Sequence, residues 1–189
     1  MQIILASSSP FRRALLERLG LPFEAVSPDL DERREPGESP AQMVQRLSAA
    51  KAAAILQKHP GALVIGSDQT AVLGDQVLGK PGGHPQAVAQ LSACSGREVF
   101  FYTGLSVIGN GLELSDMDCT RVLFRELADD EIERYLKREQ PYQSAGSFKV
   151  EGLGISLFES VDSDDPTALI GLPLIALCRL LRQAGIAIP

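Results

Sequence analysis

Short apolar runs alternate along the chain with stretches in which apolar residues recur every three or four positions. The runs predict strands and the recurring positions predict helices, so the element order is that of a mixed α/β protein. The predicted strands are Ile3–Leu5, Phe23–Val26, ALVIGSDQTAVLG, two long strands within EVFFYTGLSVIGNGLELSDMDCTRVLF that meet at Gly109–Asn110–Gly111, and ISLFESV. The predicted helices start at Pro10, Ser39 and Pro85 and lie within ADDEIERYLKREQP and GLPLIALCRLLRQAG.

Three polar or glycine-rich stretches interrupt this pattern and predict loops. They are SPDLDERREPGES after the second strand, DQVLGKPGG after the third strand, and SAGSFKVEGLG before the last strand. Loops of this kind carry binding residues more often than the elements that they connect.

The first helix has clear boundaries and two misplaced cations. Ser9 suits the N-cap, Pro10 the first helical position and Gly20 the C-terminal stop. Arg12 and Arg13 lie in the first turn, where the helix dipole disfavours positive charge. The sequence therefore raises the question of what anion these arginines meet.

A third cation lies on an apolar helix face, and a fourth follows a strand. Lys51 falls near the middle of the apolar stripe of the second helix, and Lys80 lies in the loop segment GKP. The stripe consists of Val44, Leu47, Ala54 and Ile55. Two structural alternatives stay open, namely that the Lys51 ammonium reaches past the stripe to water and that Lys80 lies in an ordinary surface turn.

Three acids are candidates to meet these cations. Asp68 follows an apolar run, so its carboxylate is expected at the end of a strand, where open α/β sheets bind ligands. Asp31 and Glu32 lie in a polar loop, and the alternative for both is a solvated surface charge. Carboxylates, a hard cation and several basic side chains are what a magnesium–nucleotide site needs.

Other chemistries have little support in the sequence. It lacks the GxxxxGK[ST], GxGxxG and GxSxG motifs, and both histidines, His59 and His84, adjoin prolines at predicted helix ends. Neither a histidine-based triad nor a histidine-rich metal site is expected.

Composition narrows the class of protein. The 189 residues are 44% hydrophobic and carry a net charge of −6, which argues against a broad nucleic-acid-binding surface. No apolar run is long enough to span a membrane or to serve as a signal peptide. The three cysteines show no CxxC pairing, and we expect buried thiols in a soluble cytoplasmic protein.

Several of these motifs together resemble the Maf family of nucleoside triphosphate pyrophosphatases. The segments that carry the resemblance, in the family's order, are ILASSSPFRRALL, PDLDE, AAKA, VIGSDQ, GKP, FYTGL and AGSFKVEGLG. The resemblance implies a single domain over residues 1–189 with a Maf/HAM1 (ITPase-like) α/β fold, a twisted mixed sheet flanked by helices, and two lobes around a central cleft. It also implies metal-dependent hydrolysis of a nucleoside triphosphate to the monophosphate and pyrophosphate.

The resemblance gives the candidate residues specific roles. Asp68 is expected to act as the general base and also to lie near a Mg²⁺ or Mn²⁺ ion, with help from Asp31 or Glu32. The phosphate ligands are expected to be Ser7, Arg12, Arg13, Lys51 and Lys80. The arginines then have their anion, because a bidentate arginine–phosphate contact exceeds a dipole penalty of about 0.3–1 kcal/mol.

Three further residues indicate which base is bound. Phe11, Gln69 and Glu151 stand where family members that act on dTTP and UTP typically carry arginine, threonine and glutamine. This pattern resembles the YceF-like subgroup, which acts on 7-methyl-GTP. An aromatic face attracts the cationic 7-methylguanine ring, and a glutamate accepts hydrogen bonds from its N1–H and N2–H₂ edge. The alternative is drift at positions that do not contact the base.

Other functions remain open at this point. The chain is alternatively a dTTP/UTP pyrophosphatase of the same family, or a nucleotide-binding regulator of septum formation without significant turnover. A role in clearing modified nucleotides before they enter nucleic acids, with a link to division arrest, follows from the first interpretation. The family resemblance also implies a homodimer.

Overall fold

The computed structural model describes residues 1–189 and shows a mixed sheet with five helices. The strands are β1 (Ile3–Ala6), β2 (Glu24–Val26), β3 (Leu63–Leu73), β4 (Gln76–Leu78), β5 (Glu98–Gly109), β6 (Leu112–Phe124) and β7 (Phe158–Asp162). The helices are α1 (Pro10–Glu17), α2 (Pro40–Lys58), α3 (His84–Cys94), α4 (Asp129–Glu139) and α5 (Leu174–Gln183). The predicted fold class, a mixed α/β sheet with flanking helices, is confirmed.

The sheet combines parallel and antiparallel strands. Its order is β2-β1-β3-β5-β6-β7, and β4 pairs with β3. β1 pairs parallel with both β2 and β3, in a register that sets Ile3 opposite Leu63 and Ala6 opposite Gly66. β4 and β7 pair antiparallel with β3 and β6.

Helix starts and the long hairpin agree with the sequence. Ser9 caps α1 by accepting a hydrogen bond from the Arg12 N–H at 3.4 Å. Ser39 and Gln42 form a capping box at the start of α2. Asn110 and Gly111 connect β5 to β6 with positive φ values of 53° and 74°, the backbone that a two-residue type I′ turn requires.

Two segments differ from the sequence prediction. DQVLGKPGG contains strand β4, because Gln76–Leu78 pairs with the end of β3 after a two-residue turn. ISLFESV is a strand only from Phe158 onward, since Leu153–Leu157 forms a short 3₁₀ helix. Pairing with another strand decides both outcomes, namely the neighbouring β3 for β4 and the more distant β6 for β7, and periodicity within one segment does not show it.

The chain divides into two compact units. Unit 1 comprises residues 1–69, 102–118 and 165–189, and unit 2 comprises residues 70–101 and 119–164. The core of unit 1 is aliphatic, with buried leucines, isoleucines and valines from β1, β3, β5, α1 and α5. The core of unit 2 contains a cluster of edge-to-face aromatic rings, whose members are Phe101, Phe124, Phe148 and Phe158.

The cysteines fit the prediction of buried thiols only in part. Cys94 is buried, and this burial raises the pKa of its thiol to about 12. Cys178 is half-buried and Cys119 is exposed. None of the five helices combines the length and the apolar character that a membrane-spanning helix needs.

Candidate active site

Helix α2 lies directly against the backbone of the sheet at two glycines. A Cβ atom on Gly66 of β3 would stand 2.1 Å from the Ser48 carbonyl oxygen, and one on Gly104 of β5 would stand 2.3 Å from that of Val44. No side chain fits in either gap. The two glycines therefore bring the α2 backbone, and Lys51 one turn after Ser48, close to β3.

This approach places Lys51 against the carboxylate of Asp68. Lys51 Nζ lies 2.6 Å from Oδ1 of Asp68 and 2.8 Å from Oε1 of Glu32. The side chains of Lys51 and Asp68 are only 6% and 9% exposed, whereas Glu32 is 53% exposed. The ammonium does not reach past the stripe to water, so that alternative is wrong.

The loop that carries Glu32 is tied to the same helix. Arg46 of α2 donates to both carboxylate oxygens of Glu38, at 2.6 and 2.8 Å, and its Nη2 also donates to the Arg33 carbonyl at 3.1 Å. Arg46 thereby anchors the chain on the C-terminal side of Glu32. This bond to Arg46 lowers the pKa of Glu38 to about 2.

Asp68 lies within a strand rather than at the end of one. β3 continues to Leu73, so the predicted position of Asp68 at a strand end is wrong. The physical reason is that β3 extends past its parallel partner: the register with β1 stops at Gly66, and β4 pairs with β3 from Ala71 onward. Asp68 therefore follows the end of the parallel ladder by two residues.

Arg12 is held in place by a backbone carbonyl. Its Nε donates to the Gly171 oxygen at 2.7 Å, and the Ser67 hydroxyl donates to the same oxygen at 3.0 Å. Burial lowers the pKa of Arg12, and the negative charges of Asp68 and Glu32 oppose that shift. Arg12 thus interacts with the same two carboxylates that contact Lys51, and it stays a cation.

Arg13 and Ser7 have different surroundings. The exposed Arg13 donates to Glu17, one turn away, at 3.1 Å. The buried Ser7 accepts a hydrogen bond from the Ser9 N–H at 3.1 Å, which leaves its own hydroxyl proton able to donate. Arg13 can leave Glu17 at small cost, because exposed pairs of this kind contribute only about 0.3–0.5 kcal/mol.

The three predicted metal-binding acids do not meet. Arg33 binds the Asp31 carboxylate, with Nε at 3.0 and 2.7 Å from its two oxygens, and this hydrogen bonding lowers the pKa of Asp31. No group of three His, Cys, Asp or Glu side chains is arranged to hold a metal ion. Asp68 and Glu32 nevertheless converge on one cation, the Lys51 ammonium. Two carboxylates completed by substrate phosphates are a common donor set for Mg²⁺, so this pair fits such an ion.

Gln69 is bound to the protein through its amide nitrogen. Its Nε2 lies 3.0 Å from Thr103 Oγ1 and 2.9 and 3.1 Å from the carbonyl oxygens of Ala168 and Leu169. Only Oε1 remains to accept a hydrogen bond from a ligand. Gln69 therefore also secures the segment that carries the Gly171 carbonyl.

The remaining predicted residues have accessible side chains. Phe11 is half-buried in the first turn of α1 in unit 1. Lys80 and Glu151 are exposed and belong to unit 2, Lys80 shortly after β4 and Glu151 just before the 3₁₀ helix Leu153–Leu157.

Sequence analysis missed two residues that support the Gly171 segment, the buried Asp165 and the half-buried Thr167. Asp165 is 3% exposed, and its carboxylate accepts from the N–H groups of Thr167 at 2.9 Å and Ile175 at 2.6 Å. The Thr167 hydroxyl accepts from the Leu174 N–H at 2.8 Å. Together they cap the start of α5. The signal was available, since Asp and Thr two residues apart before a helix are typical of a side-chain-capped turn.

Comparisons with known proteins assign the chain to a family. Residues 2–184 match the family described as Maf-like protein. Proteins named 7-methyl-GTP pyrophosphatase from Nitrosococcus oceani and Xanthomonas oryzae pv. oryzae are 55% and 56% identical, over 97% and 100% of this chain and 93% and 99% of the relatives. A relative of the same name from Polaromonas sp. is 53% identical, over 98% of this chain and 86% of its own.

The similarity to solved structures is weaker than the similarity to these sequence relatives. A HAM1 protein from Coxiella burnetii superposes with a TM-score of 0.45 at 15% identity, over 66% of this chain and 73% of its own. The family match covers almost all of the chain, and identities above 50% extend over nearly its full length. The chain therefore belongs to the Maf family.

Proposed function

We propose that this protein is a nucleoside triphosphate pyrophosphatase that converts 7-methyl-GTP to 7-methyl-GMP and diphosphate. The observation that carries the proposal is the buried Lys51–Asp68 pair, joined by Glu32 within 2.8 Å of Nζ, in a chain of this family. The substrate is proposed from relatives at 53–56% identity that carry this activity in their names.

The triphosphate is proposed to bind to a group of cations and one hydroxyl. Arg12 is already oriented by the Gly171 carbonyl, so its remaining guanidinium N–H groups are available without a rotamer search. Ser7 donates its hydroxyl proton, and the positive end of the α1 dipole adds to the anion site. Arg13, Lys51 and Lys80 neutralise the other phosphate oxygens and the diphosphate leaving group.

Asp68 is proposed as the general base. Its carboxylate accepts a proton from the water that attacks the α-phosphorus, and the bond from this phosphorus to the bridging oxygen breaks as diphosphate leaves. Hydrolysis in ¹⁸O-labelled water tests this step. Label in 7-methyl-GMP is expected, and label in diphosphate would instead show attack at the β-phosphorus.

A divalent cation, Mg²⁺ or Mn²⁺, is proposed to bind to Asp68 and Glu32, and Asp31 would join them only after leaving Arg33. When bound, such an ion offsets negative charge on the triphosphate and lowers the pKa of a coordinated water. Lys51 contributes a fixed positive charge beside the same carboxylates whether or not the ion is bound. Activity in a metal-free buffer, with and without added Mg²⁺ or Mn²⁺, tests this requirement.

Base recognition is proposed to rest on Phe11, Gln69 and Glu151. The Phe11 ring faces the cationic 7-methylguanine, the Gln69 Oε1 accepts one hydrogen bond, and the Glu151 carboxylate accepts two from the N1–H and N2–H₂ edge. Because Glu151 also opposes the ring's positive charge, Glu151→Gln is expected to lose about 1.5–3 kcal/mol of the preference for 7-methyl-GTP. Phe11→Trp is expected to keep or increase that preference, since tryptophan attracts cations best.

A panel of triphosphates tests the substrate. Purified protein is incubated with 7-methyl-GTP, GTP, dTTP and UTP at equal concentration, and diphosphate is measured over many turnovers. Fastest release from 7-methyl-GTP is expected. Faster release from dTTP or UTP would favour the second candidate within the family, and tight binding without release would favour a nucleotide-binding regulator.

The biological setting follows from this activity. Removal of 7-methyl-GTP would keep a modified base out of nucleic acids, with a link to division arrest, and we place the reaction in the cytoplasm, where nucleotides are polymerised. The substrate is a small molecule, so neither a nucleic acid polymer nor a membrane is required as a partner. A homodimer is proposed on family grounds, and a monomeric mass by light scattering would exclude it.

A further inference from the structure

Glu151, the proposed contact for the base edge, is exposed, and its neighbours Val150 and Gly152 on the same loop are half-buried. The loop closes through a hydrogen bond from the Gly152 N–H to the Lys149 carbonyl at 3.2 Å, and Glu151 lies exposed between these residues. A hydrogen-bond acceptor that selects one base has to be held in place, because ordering a mobile side chain on binding costs conformational entropy and weakens the affinity. The position of Glu151 must therefore be set by neighbouring elements.

Helix α4 supplies three contacts to this loop, which together we name the α4 brace. The Tyr135 hydroxyl accepts a hydrogen bond from the Lys149 N–H at 3.0 Å. The Glu139 carbonyl accepts one from Lys149 Nζ at 2.9 Å, and Glu139 Oε1 accepts one from the Leu153 N–H at 3.3 Å. The contacts lie two residues to either side of Glu151, so they fix both ends of the segment that carries it.

The brace lies beside a glycine and on the buried face of α4. A Cβ atom on Gly152 would stand 2.6 Å from Oε2 of Glu139, so the carboxylate in its observed position packs against the bare backbone of Gly152. Tyr135 is 5% exposed and lies on the buried face of α4 with Ile132 and Leu136. Burial and the charges of Glu139 and Glu151 raise the pKa of Tyr135, so its hydroxyl stays neutral and remains the acceptor for Lys149.

We propose that Tyr135 and Glu139 are positioning residues for base selection, which hold Glu151 where it meets the edge of the 7-methylguanine ring. This inference rests on the proposed role of Glu151. Neither residue contacts the group around Asp68, which belongs to unit 1, whereas all contacts of the brace lie within unit 2. Loss of the brace is therefore expected to weaken discrimination between 7-methyl-GTP and GTP while leaving turnover at saturation largely unchanged.

The test compares two substitutions of Glu139 that differ in one property. Glu139→Ala removes the carboxylate, whereas Glu139→Gln keeps an oxygen that can accept from the Leu153 N–H. The ratio of kcat/KM for 7-methyl-GTP to that for GTP is expected to fall roughly tenfold in Glu139→Ala, through KM, and to be mostly retained in Glu139→Gln. Tyr135→Phe is expected to lower the ratio as well. Arg138→Ala, an exposed change on the same helix, is the matched control.

A second measurement does not depend on activity. Hydrogen exchange of the loop amides, including that of Leu153, is expected to be faster in Glu139→Ala and Tyr135→Phe than in wild type and in Arg138→Ala. Unchanged hydrogen-exchange protection of the loop amides in both variants would contradict the proposal that the α4 brace holds this loop.

The kinetic outcomes separate this inference from the proposed function. If Glu151→Gln lowers the substrate ratio and Glu139→Ala does not, the positioning role is wrong and the proposed function stands. If wild type shows no preference for 7-methyl-GTP, or Glu151→Gln leaves that preference unchanged, base recognition by Glu151 is wrong and this inference fails with it.

Discussion

The ammonium group of Lys51 lies 2.6 Å from Oδ1 of Asp68, and both side chains are almost fully buried. A buried ion pair contributes little net stability relative to apolar packing, but removal of one partner leaves the other charge without compensation. The presence of this buried ion pair is thus better explained by a role in the proposed reaction than by a contribution to folding stability.

Lys51→Met is expected to destabilise the protein by roughly 3–5 kcal/mol, because Asp68 then stays buried without its cation. The double substitution Lys51→Met with Asp68→Leu is expected to recover much of that loss, while both variants lack activity. Urea unfolding measures the free energies of unfolding. If Lys51→Met alone were as stable as wild type, the Lys51 and Asp68 charges would not be energetically coupled.

Gly66→Ala tests the close approach of α2 to the sheet. The added methyl group meets the Ser48 carbonyl, and its expected cost is roughly 1–3 kcal/mol or more, together with reduced turnover as Lys51 moves away from Asp68. Thermal unfolding and kcat are the measurements. Gly79→Ala is the control for stability, since a Cβ atom there meets nothing within 4 Å. Equal stability of the two variants would contradict the packing described for Gly66.

Much of this arrangement follows from local sequence signals. Ser9 and Pro10 predict the start of α1. The apolar stripe around Lys51 predicts that this lysine lies on the packed face of α2, but it leaves open whether the ammonium is buried or reaches water. The close contact of α2 with the sheet could not be predicted in this way, because the need for glycine at Gly66 and Gly104 is evident only once it is known which helix packs over them. The predicted strand ALVIGSDQTAVLG already contains the continuation of β3 past Asp68, whereas the end of the parallel pairing with β1 at Gly66 is not a local property.

Two site residues, Asp31 and Arg12, have partners within the protein that sequence analysis did not predict, for different reasons. Arg33, two residues after Asp31, takes the carboxylate that was expected at a metal, and this local pairing could have been anticipated from the sequence. The contact between Arg12 and the Gly171 carbonyl, 159 positions further along the chain, could not have been anticipated. A backbone acceptor can belong to any residue, so the sequence does not indicate it.

Arg12 and Arg13 are expected to contribute unequally. Arg12→Ala removes a guanidinium that the Gly171 carbonyl has already oriented, whereas Arg13 must first leave Glu17. The loss of kcat/KM should therefore be larger for Arg12→Ala, and Arg12→Lys should not restore it, because lysine lacks the planar set of donors. Equal losses for both alanine variants would argue against this orientation.

The Arg46–Glu38 contact predicts a pH-dependent contribution to stability. The pKa of Glu38 is lowered to about 2 from its ordinary value of 4.5, so the contact stabilises the folded state fully above pH 4.5 and progressively less as the pH falls toward 2. Glu38→Gln is expected to be less stable than wild type at pH 7, with a difference that shrinks below pH 4.5. Urea midpoints of both proteins between pH 3 and pH 7 measure this, and a constant difference would contradict it.

The most direct test of the account is the turnover of 7-methyl-GTP by Asp68→Asn. Asparagine keeps the shape of the side chain but cannot take a proton from water, and Glu32 still pairs with the Lys51 ammonium in this variant. Circular dichroism and thermal unfolding are measured first to check that the variant is folded. Diphosphate release from 7-methyl-GTP is then compared with wild type at equal protein and Mg²⁺ concentration. The account predicts loss of nearly all turnover in a folded protein, and retention of more than roughly a tenth of wild-type activity, well above what loss of a general base allows, would contradict it.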